Sequence, residues 1–265
     1  MRHHLRQSLL FLLLVPCALP ALAGMRADPV EWTIGDRSFR GVLVHDDATD
    51  TPRPGLVMVP DGMGMTESAI EKAKHVAGDD YVVLVADVYG RDAQPADSAA
   101  ARALTGALRE DLPVLRQRIN KALEVLRTNA AGAPLDASRI AAFGYCFGGT
   151  TVLELARSGA DIAGVVTFHG GLATSMPAEK GAVEASVLVL NGADDQGTAG
   201  DVAAFKREMD AAGVDWQFVD FSGTVHCFAL PDADNPPGCV YNELSATRAE
   251  RMMRGFLDER FSDRG

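Results

Sequence analysis

Residues 139–159, "RIAAFGYCFGGTTVLELARSG", decide the fold, because a glycine-rich turn in them joins an apolar run to an amphipathic stretch. The run "RIAAFGY" is continuously apolar after its first residue, which is typical of a strand covered on both faces. The stretch "FGGTTVLELARSG" spaces its apolar residues as a helix does. The segment therefore predicts a strand, a tight turn at Cys146 and a helix.

The same alternation extends over the rest of the chain. Strands are predicted at 30–34, 38–44, 55–60, 81–88, 139–145, 162–168, 186–192 and 215–223. Helices are predicted at 66–78, 96–129, 147–159, 199–213 and 242–261. Alternating strands and helices favour an α/β fold with a mostly parallel central sheet of about eight strands and helices on both faces.

The first 23 residues have the pattern of a secretory signal peptide. Arg2 and Arg6 precede an apolar run at 8–15, and "ALA" at 21–23 is a small-residue cleavage site. The apolar run is too short to favour a transmembrane helix, so no membrane association is expected after cleavage. We expect residues 1–23 to be removed, residues 24–265 to form a single domain, and the protein to be periplasmic or secreted.

Composition excludes one class of partner and leaves the cysteine pairing open. The net charge is −11 and no basic block occurs, which argues against nucleic-acid binding. Cys17 would leave with the signal peptide, so Cys146, Cys227 and Cys239 remain. Either Cys227 pairs with Cys239 across "FALPDADNPPG", or all three are free thiols.

Cys146 is the candidate nucleophile. It lies in G-Y-C-F-G, the cysteine counterpart of the G-x-S-x-G turn that lifts a nucleophile out of a sheet. The amide of Phe147 would then donate to an oxyanion. The alternative is a small buried cysteine beside glycines, since free cysteines are among the most buried residues.

Two partners follow at later strand ends, in the order nucleophile, acid, histidine. Asp195 follows "VLVLNG" and would orient an imidazole, with Asp194 as the neighbouring competitor. His226, in "TVHCF", would be the general base. His169, in "TFHGG", is a rival base that we interpret as structural.

The motifs of common metal-binding and dinucleotide-binding sites are absent from the sequence. The sequence contains no H-E-x-x-H, no C-x-x-C and no G-x-G-x-x-G. We therefore expect no metal and no cofactor.

Taken together, these segments resemble the dienelactone hydrolase family of α/β-hydrolases. The similarity covers "VMVPDGMGM", "VLVADVYGR", "FGYCFGG", "FHGGL", "VLVLNGADD", "GTVHCFALPDA" and "YNELSATRAERMM". It implies an α/β-hydrolase fold and a triad of Cys146, Asp195 and His226.

The resemblance also implies further site residues. Asp61 stands where the family has a glutamate that acts on the thiol, and the Gly62 amide would be the second oxyanion donor. Arg91 would bind a substrate carboxylate, whereas Leu230 stands where dienelactone-specific members have a second arginine. Cys227, next to the histidine, is predicted to contact the substrate.

The sequence therefore predicts a carboxylic ester or lactone hydrolase that is a monomer or homodimer and acts on a small molecule. The alternative is a non-hydrolytic binding or thiol-redox protein of the same fold, in which Cys146 would work with Cys227.

Overall fold

A sheet of eight strands forms the centre of the computed structural model, which describes residues 24–128, 130 and 132–262. The strands are β1 (Met25–Ile34), β2 (Arg37–Asp46), β3 (Arg53–Val59), β4 (Val82–Val85), β5 (Leu135–Tyr145), β6 (Gly164–Phe168), β7 (Ser186–Gly192) and β8 (Trp216–Phe221). Their order is β1-β2-β4-β3-β5-β6-β7-β8. β2 is antiparallel to β1 and β4, and the other pairs are parallel. The predicted mostly parallel sheet is confirmed.

Helices cover both faces of this sheet. They are α1 (Glu67–Ala77), α2 (Ser98–Glu110), α3 (Leu112–Thr128), α4 (Phe147–Arg157), α5 (Val202–Ala212) and α6 (Glu243–Ser262). Alternate strand residues point to opposite faces, so Val57 and Val59 belong to the core that includes buried residues of α3, α4 and α5, whereas Leu56 and Met58 belong to the core that includes those of α1 and α6. None of the helices in the described part of the chain is both long and apolar enough to cross a membrane.

The predicted continuous helix 96–129 is wrong, because α2 ends before α3 begins. Pro113 has no N–H to continue the hydrogen-bonding pattern of α2. Asp111 leaves helical geometry (φ −118°, ψ 67°), and its carboxylate accepts a hydrogen bond from Val114 N at 3.2 Å. Asp111 therefore ends one helix and caps the next.

Strand β4 is shorter than the predicted 81–88. The buried carboxylate of Asp87 accepts hydrogen bonds from the amides of Tyr89 and Gly90, each at 2.9 Å. These bonds turn the chain away from the sheet after Val85.

The carboxyl ends of the parallel strands bring five loops together. These loops follow β3, β5, β6, β7 and β8, and they carry Asp61, Cys146, His169, Asp195 and His226. A small antiparallel pair, β9 (Asp234–Asn235) and β10 (Cys239–Val240), lies in the loop after β8. Such an edge is where ligands bind in α/β sheets.

Candidate active site

Cys146 occupies a strained turn between β5 and α4. Its backbone φ is +52°, which non-glycine residues rarely adopt. Its amide donates to Phe168 O at 3.0 Å, and its carbonyl accepts from Thr150 N at 3.1 Å. The turn is thus bonded both to β6 and to the first turn of α4, so the thiol has a fixed position.

The glycines of this turn permit close backbone approach. A Cβ at Gly148 would lie 2.0 Å from Val59 O, and one at Gly144 would lie 2.3 Å from the carbonyl carbon of Gly148. No side chain fits at either position. The G-x-C-x-G pattern therefore reflects packing between β3, β5 and α4 around the thiol.

The predicted triad residues are in contact. Nε2 of His226 lies 3.1 Å from Sγ of Cys146, and Nδ1 lies 2.7 Å from Oδ2 of Asp195. The other carboxylate oxygen of Asp195 accepts from Gly197 N at 2.8 Å. Asp195 is buried, whereas its competitor Asp194 is exposed, so Asp195 is the acid that contacts the imidazole.

The surroundings of His226 favour its charged form. Burial lowers the pKa of the imidazole, but hydrogen bonds and charge interactions with Asp195 and Cys146 outweigh burial and raise that pKa to about 10. The imidazolium can therefore stabilise negative charge on the sulfur and donate a proton.

The two predicted oxyanion donors belong to neighbouring elements. Phe147 begins α4, and Gly62 lies in the loop after β3. The Tyr89 hydroxyl donates to Gly62 O at 3.0 Å, and its ring stacks on that of Phe147 with centroids 5.9 Å apart. Tyr89 thus contacts both donor residues. Sequence reasoning missed it, although "VYGR" follows a strand end.

Asp61 lies at the cavity but bonds within its own loop. Its carboxylate accepts a hydrogen bond from Met63 N at 2.8 Å. It therefore shapes the turn that presents Gly62.

The structure does not bring Arg91 to the site, which corrects the expectation drawn from the resemblance. Its backbone amide donates to Ser38 O at 2.9 Å, and its guanidinium pairs with Glu31 at 3.6 Å and with Asp92 at 3.4 Å. These bonds direct Arg91 toward the β1–β2 hairpin.

The cysteine pairing left open by the sequence is settled in the structure. Cys227 and Cys239 form a disulfide, and Cys146 is a free thiol. The disulfide lines the cavity beside His226. The pairing of Cys146 with Cys227 that the redox alternative requires is therefore not the one observed.

A cavity of about 1250 Å³ opens above Cys146, Asp195 and His226. Besides Cys146 and His226, it is lined by apolar side chains, by hydroxyl groups, by five aspartates that include Asp61 and Asp195, and by three basic side chains, Lys72, Arg102 and Arg109. Burial lowers the pKa of Lys72, whose ammonium donates to Ala229 O at 3.0 Å. The cavity has room for a small organic molecule with its reacting carbon at the thiol.

Comparison with known proteins gives a family match over most of the chain. The model of the dienelactone hydrolase family matches residues 39–261. A solved dienelactone hydrolase-like promiscuous phosphotriesterase from metagenomic libraries is 35% identical, with a TM-score of 0.84, and the match covers 90% of this chain and 99% of that one.

Two curated proteins are also similar. An uncharacterized protein of Caenorhabditis elegans is 31% identical over 156 residues, which are 56% of this chain and 95% of that protein. A Salmonella typhimurium protein named "Putative carboxymethylenebutenolidase" is 26% identical over 219 residues, which are 79% of this chain and 78% of that protein.

Proposed function

The chain belongs to the dienelactone hydrolase family and is a hydrolase, and from that premise we propose that it cleaves carboxylic esters or lactones with Cys146 as nucleophile. The observation that carries the proposal is the line of contacts from Asp195 through His226 to the thiol, at 2.7 and 3.1 Å. A nucleophile, a base and an orienting acid in this geometry are the parts that acyl transfer requires.

Acylation begins when the sulfur of Cys146 attacks the substrate carbonyl. The amides of Phe147 and Gly62 donate to the oxyanion that forms. His226 gives its proton to the leaving alkoxide as the carbon–oxygen bond breaks. The product is an alcohol and a thioester on Cys146, or for a lactone a single ring-opened thioester.

Deacylation uses the same groups. His226, now neutral, takes a proton from water while the water oxygen attacks the thioester carbonyl. The carbon–sulfur bond breaks and the carboxylic acid leaves. The thiolate of Cys146 and the imidazolium of His226 are restored.

The substrate is expected to differ from dienelactone itself. Leu230 lines the cavity where dienelactone-specific members have an arginine, and Arg91 pairs with Glu31 outside the cavity. The cavity therefore lacks the two arginines that the resemblance assigns to binding the carboxylate of a dienelactone. We therefore expect another small ester or lactone as the substrate.

We also propose that the protein acts outside the cytoplasm. The signal-peptide pattern of residues 1–23 lies outside the described residues, so this proposal depends on the sequence and on the disulfide. Disulfides between structural cysteines form in oxidising compartments.

The test is p-nitrophenyl acetate hydrolysis by the protein and by Cys146→Ala and His226→Ala. Both variants should lose at least roughly a thousandfold in kcat/KM, because they remove the nucleophile or its base. His75→Ala is the matched control, since His75 is exposed and pairs with Glu250 on the surface. Equal rates for all four proteins would contradict the proposal and favour the non-hydrolytic alternative.

A further inference from the structure

His169 packs against the catalytic histidine from inside the protein. It follows β6, is fully buried, and its ring centroid lies 5.0 Å from that of His226 with 67° between the ring planes. Phe228 contacts its ring in the same edge-on manner, at 5.2 Å and 75°. The imidazole of His226 thus has the buried ring of His169 beside it.

The rings of His169 and His226 pack against each other without a hydrogen bond between them. Neither ring nitrogen of His169 hydrogen-bonds another of the described residues. Burial, followed by the charges of His226 and Lys72, lowers the pKa of His169 well below the usual histidine value. His169 is therefore neutral, and the positive charge of the pair is carried by His226.

We propose that His169 is a positioning residue that holds the ring of His226 during hydrolysis of the acyl-enzyme. The inference rests on the proposed function. In the resting enzyme His226 is held at both ends, by Asp195 and by the sulfur of Cys146. Once the sulfur is part of a thioester it carries no negative charge, so the hold at Nε2 weakens.

In that intermediate the hydrogen bond with Asp195 leaves the ring free to rotate about one axis. The edge-on ring of His169 blocks this rotation and keeps Nε2 directed at the water that attacks the thioester. Water then loses its proton to Nε2 as its oxygen bonds to the carbonyl carbon, and the carbon–sulfur bond breaks. A small error in the direction of Nε2 slows this step, because proton transfer needs hydrogen-bond geometry.

The backbone explains why a histidine occupies this place. His169 has a φ of +43°, a region in which histidine and asparagine occur more often than phenylalanine. Histidine therefore supplies a flat neutral ring at a strained turn. An asparagine there would keep the backbone and remove the ring.

The experiment compares His169→Asn, His169→Phe and the unchanged protein in stopped-flow hydrolysis of p-nitrophenyl acetate. The burst measures acylation and the steady state measures deacylation, while acid quenching and mass spectrometry measure the thioester on Cys146. For His169→Asn we expect a burst rate within about threefold of normal, a steady-state rate lower by roughly tenfold and more accumulated thioester. His169→Phe restores a flat ring but strains the turn, so its urea midpoint is measured alongside, and in the folded variant deacylation should return to within about threefold of normal.

Phe228→Leu is the control for lost packing, because Phe228 is buried and contacts His169. It should lower the urea midpoint and leave the ratio of burst rate to steady-state rate unchanged. Normal deacylation in His169→Asn, or an equal slowing of both phases, would overturn the inference and leave the proposed function standing. Deacylation as slow in a folded His169→Phe, with a urea midpoint close to that of His169→Asn, as in His169→Asn itself would also overturn it. If the unchanged protein showed neither a burst nor turnover, both proposals would be contradicted.

Discussion

Nε2 of His226 lies 3.1 Å from Sγ of Cys146, although 80 positions separate the two residues in the chain. The strands that precede them, β8 and β5, are separated in the sheet by β7 and β6. The loop after β8 therefore crosses two strand ends to reach the thiol. Val240 N donates to His226 O at 3.1 Å, so the far end of that loop holds the histidine in place.

Asp195→Asn should leave the fold intact and lower kcat strongly. The amide cannot supply the negative charge that stabilises the His226 imidazolium, and it can favour the wrong imidazole tautomer. We expect a loss of roughly 10³- to 10⁴-fold in kcat. Asp194→Asn is the matched control one position earlier, and it should remain within about threefold of normal. Equal losses in the two variants would show that Asp195 has no special role.

Stability should fall with rising pH because of His226. The pKa of His226 is raised from 6.5 to about 10 in the folded protein, so the folded state holds this proton more tightly than the unfolded state. The stabilising contribution is complete below about pH 6.5 and is lost as the pH approaches 10. Urea unfolding across this range should show a larger fall in the free energy of unfolding for the normal protein than for His226→Gln. Parallel pH profiles would contradict the imidazolium assignment.

Removing the disulfide should affect both stability and activity. Cys227 and Cys239 are 12 positions apart in the sequence. The backbone of His226 pairs with that of Cys239 in an isolated parallel β-bridge. The double variant Cys227→Ser, Cys239→Ser should lose about 2 to 3 kcal/mol of unfolding free energy. Its kcat should also fall, because the histidine loses a covalent support.

Disulfide mapping of the unreduced protein supplies the control for that variant. One alkylated thiol, Cys146, and one linked pair, Cys227 with Cys239, are expected. A link between Cys146 and Cys227 would contradict this pairing and favour the thiol-redox alternative.

A buried ion network in α4, the helix that follows Cys146, should contribute strongly to the stability of the fold. Glu154 is fully buried and pairs with Arg157 at 2.9 Å and Arg116 at 2.8 Å. Glu154→Gln leaves the buried Arg157 with less compensating charge, so we expect a loss of about 3 kcal/mol in urea unfolding. Glu124→Gln, which removes an exposed pair with Lys121, should change stability by less than about 0.5 kcal/mol. Similar losses in both would contradict a special role of the buried network.

Much of the fold could be predicted because local patterns determine it. Continuous apolar runs identify the buried strands, and β7 has the predicted bounds 186–192. Two of the errors occur where one side chain changes the path of the chain, and others are differences in strand ends, since β1 begins at Met25 and β5 at Leu135. Asp111 caps a new helix before Pro113, and Asp87 turns the chain out of the sheet after β4.

The candidate site was predictable to the extent that it depends on strand ends. Cys146, Asp195 and His226 each follow a strand of one parallel sheet, and this placement brings them together. Where a long side chain points depends on partners elsewhere in the chain, and for that reason the position of Arg91 beside Glu31 was not predictable. The contact of His169 with His226 is likewise set by packing between distant loops.

The most direct test of the hydrolase mechanism is to quench turnover of p-nitrophenyl acetate with acid and map the acylated peptide by mass spectrometry. We predict an acetyl group on Cys146 during turnover, its accumulation in His226→Ala at high substrate, and none at this position in Cys146→Ala. Turnover that proceeds without acylation of Cys146, and at an unchanged rate in Cys146→Ala, would contradict the account.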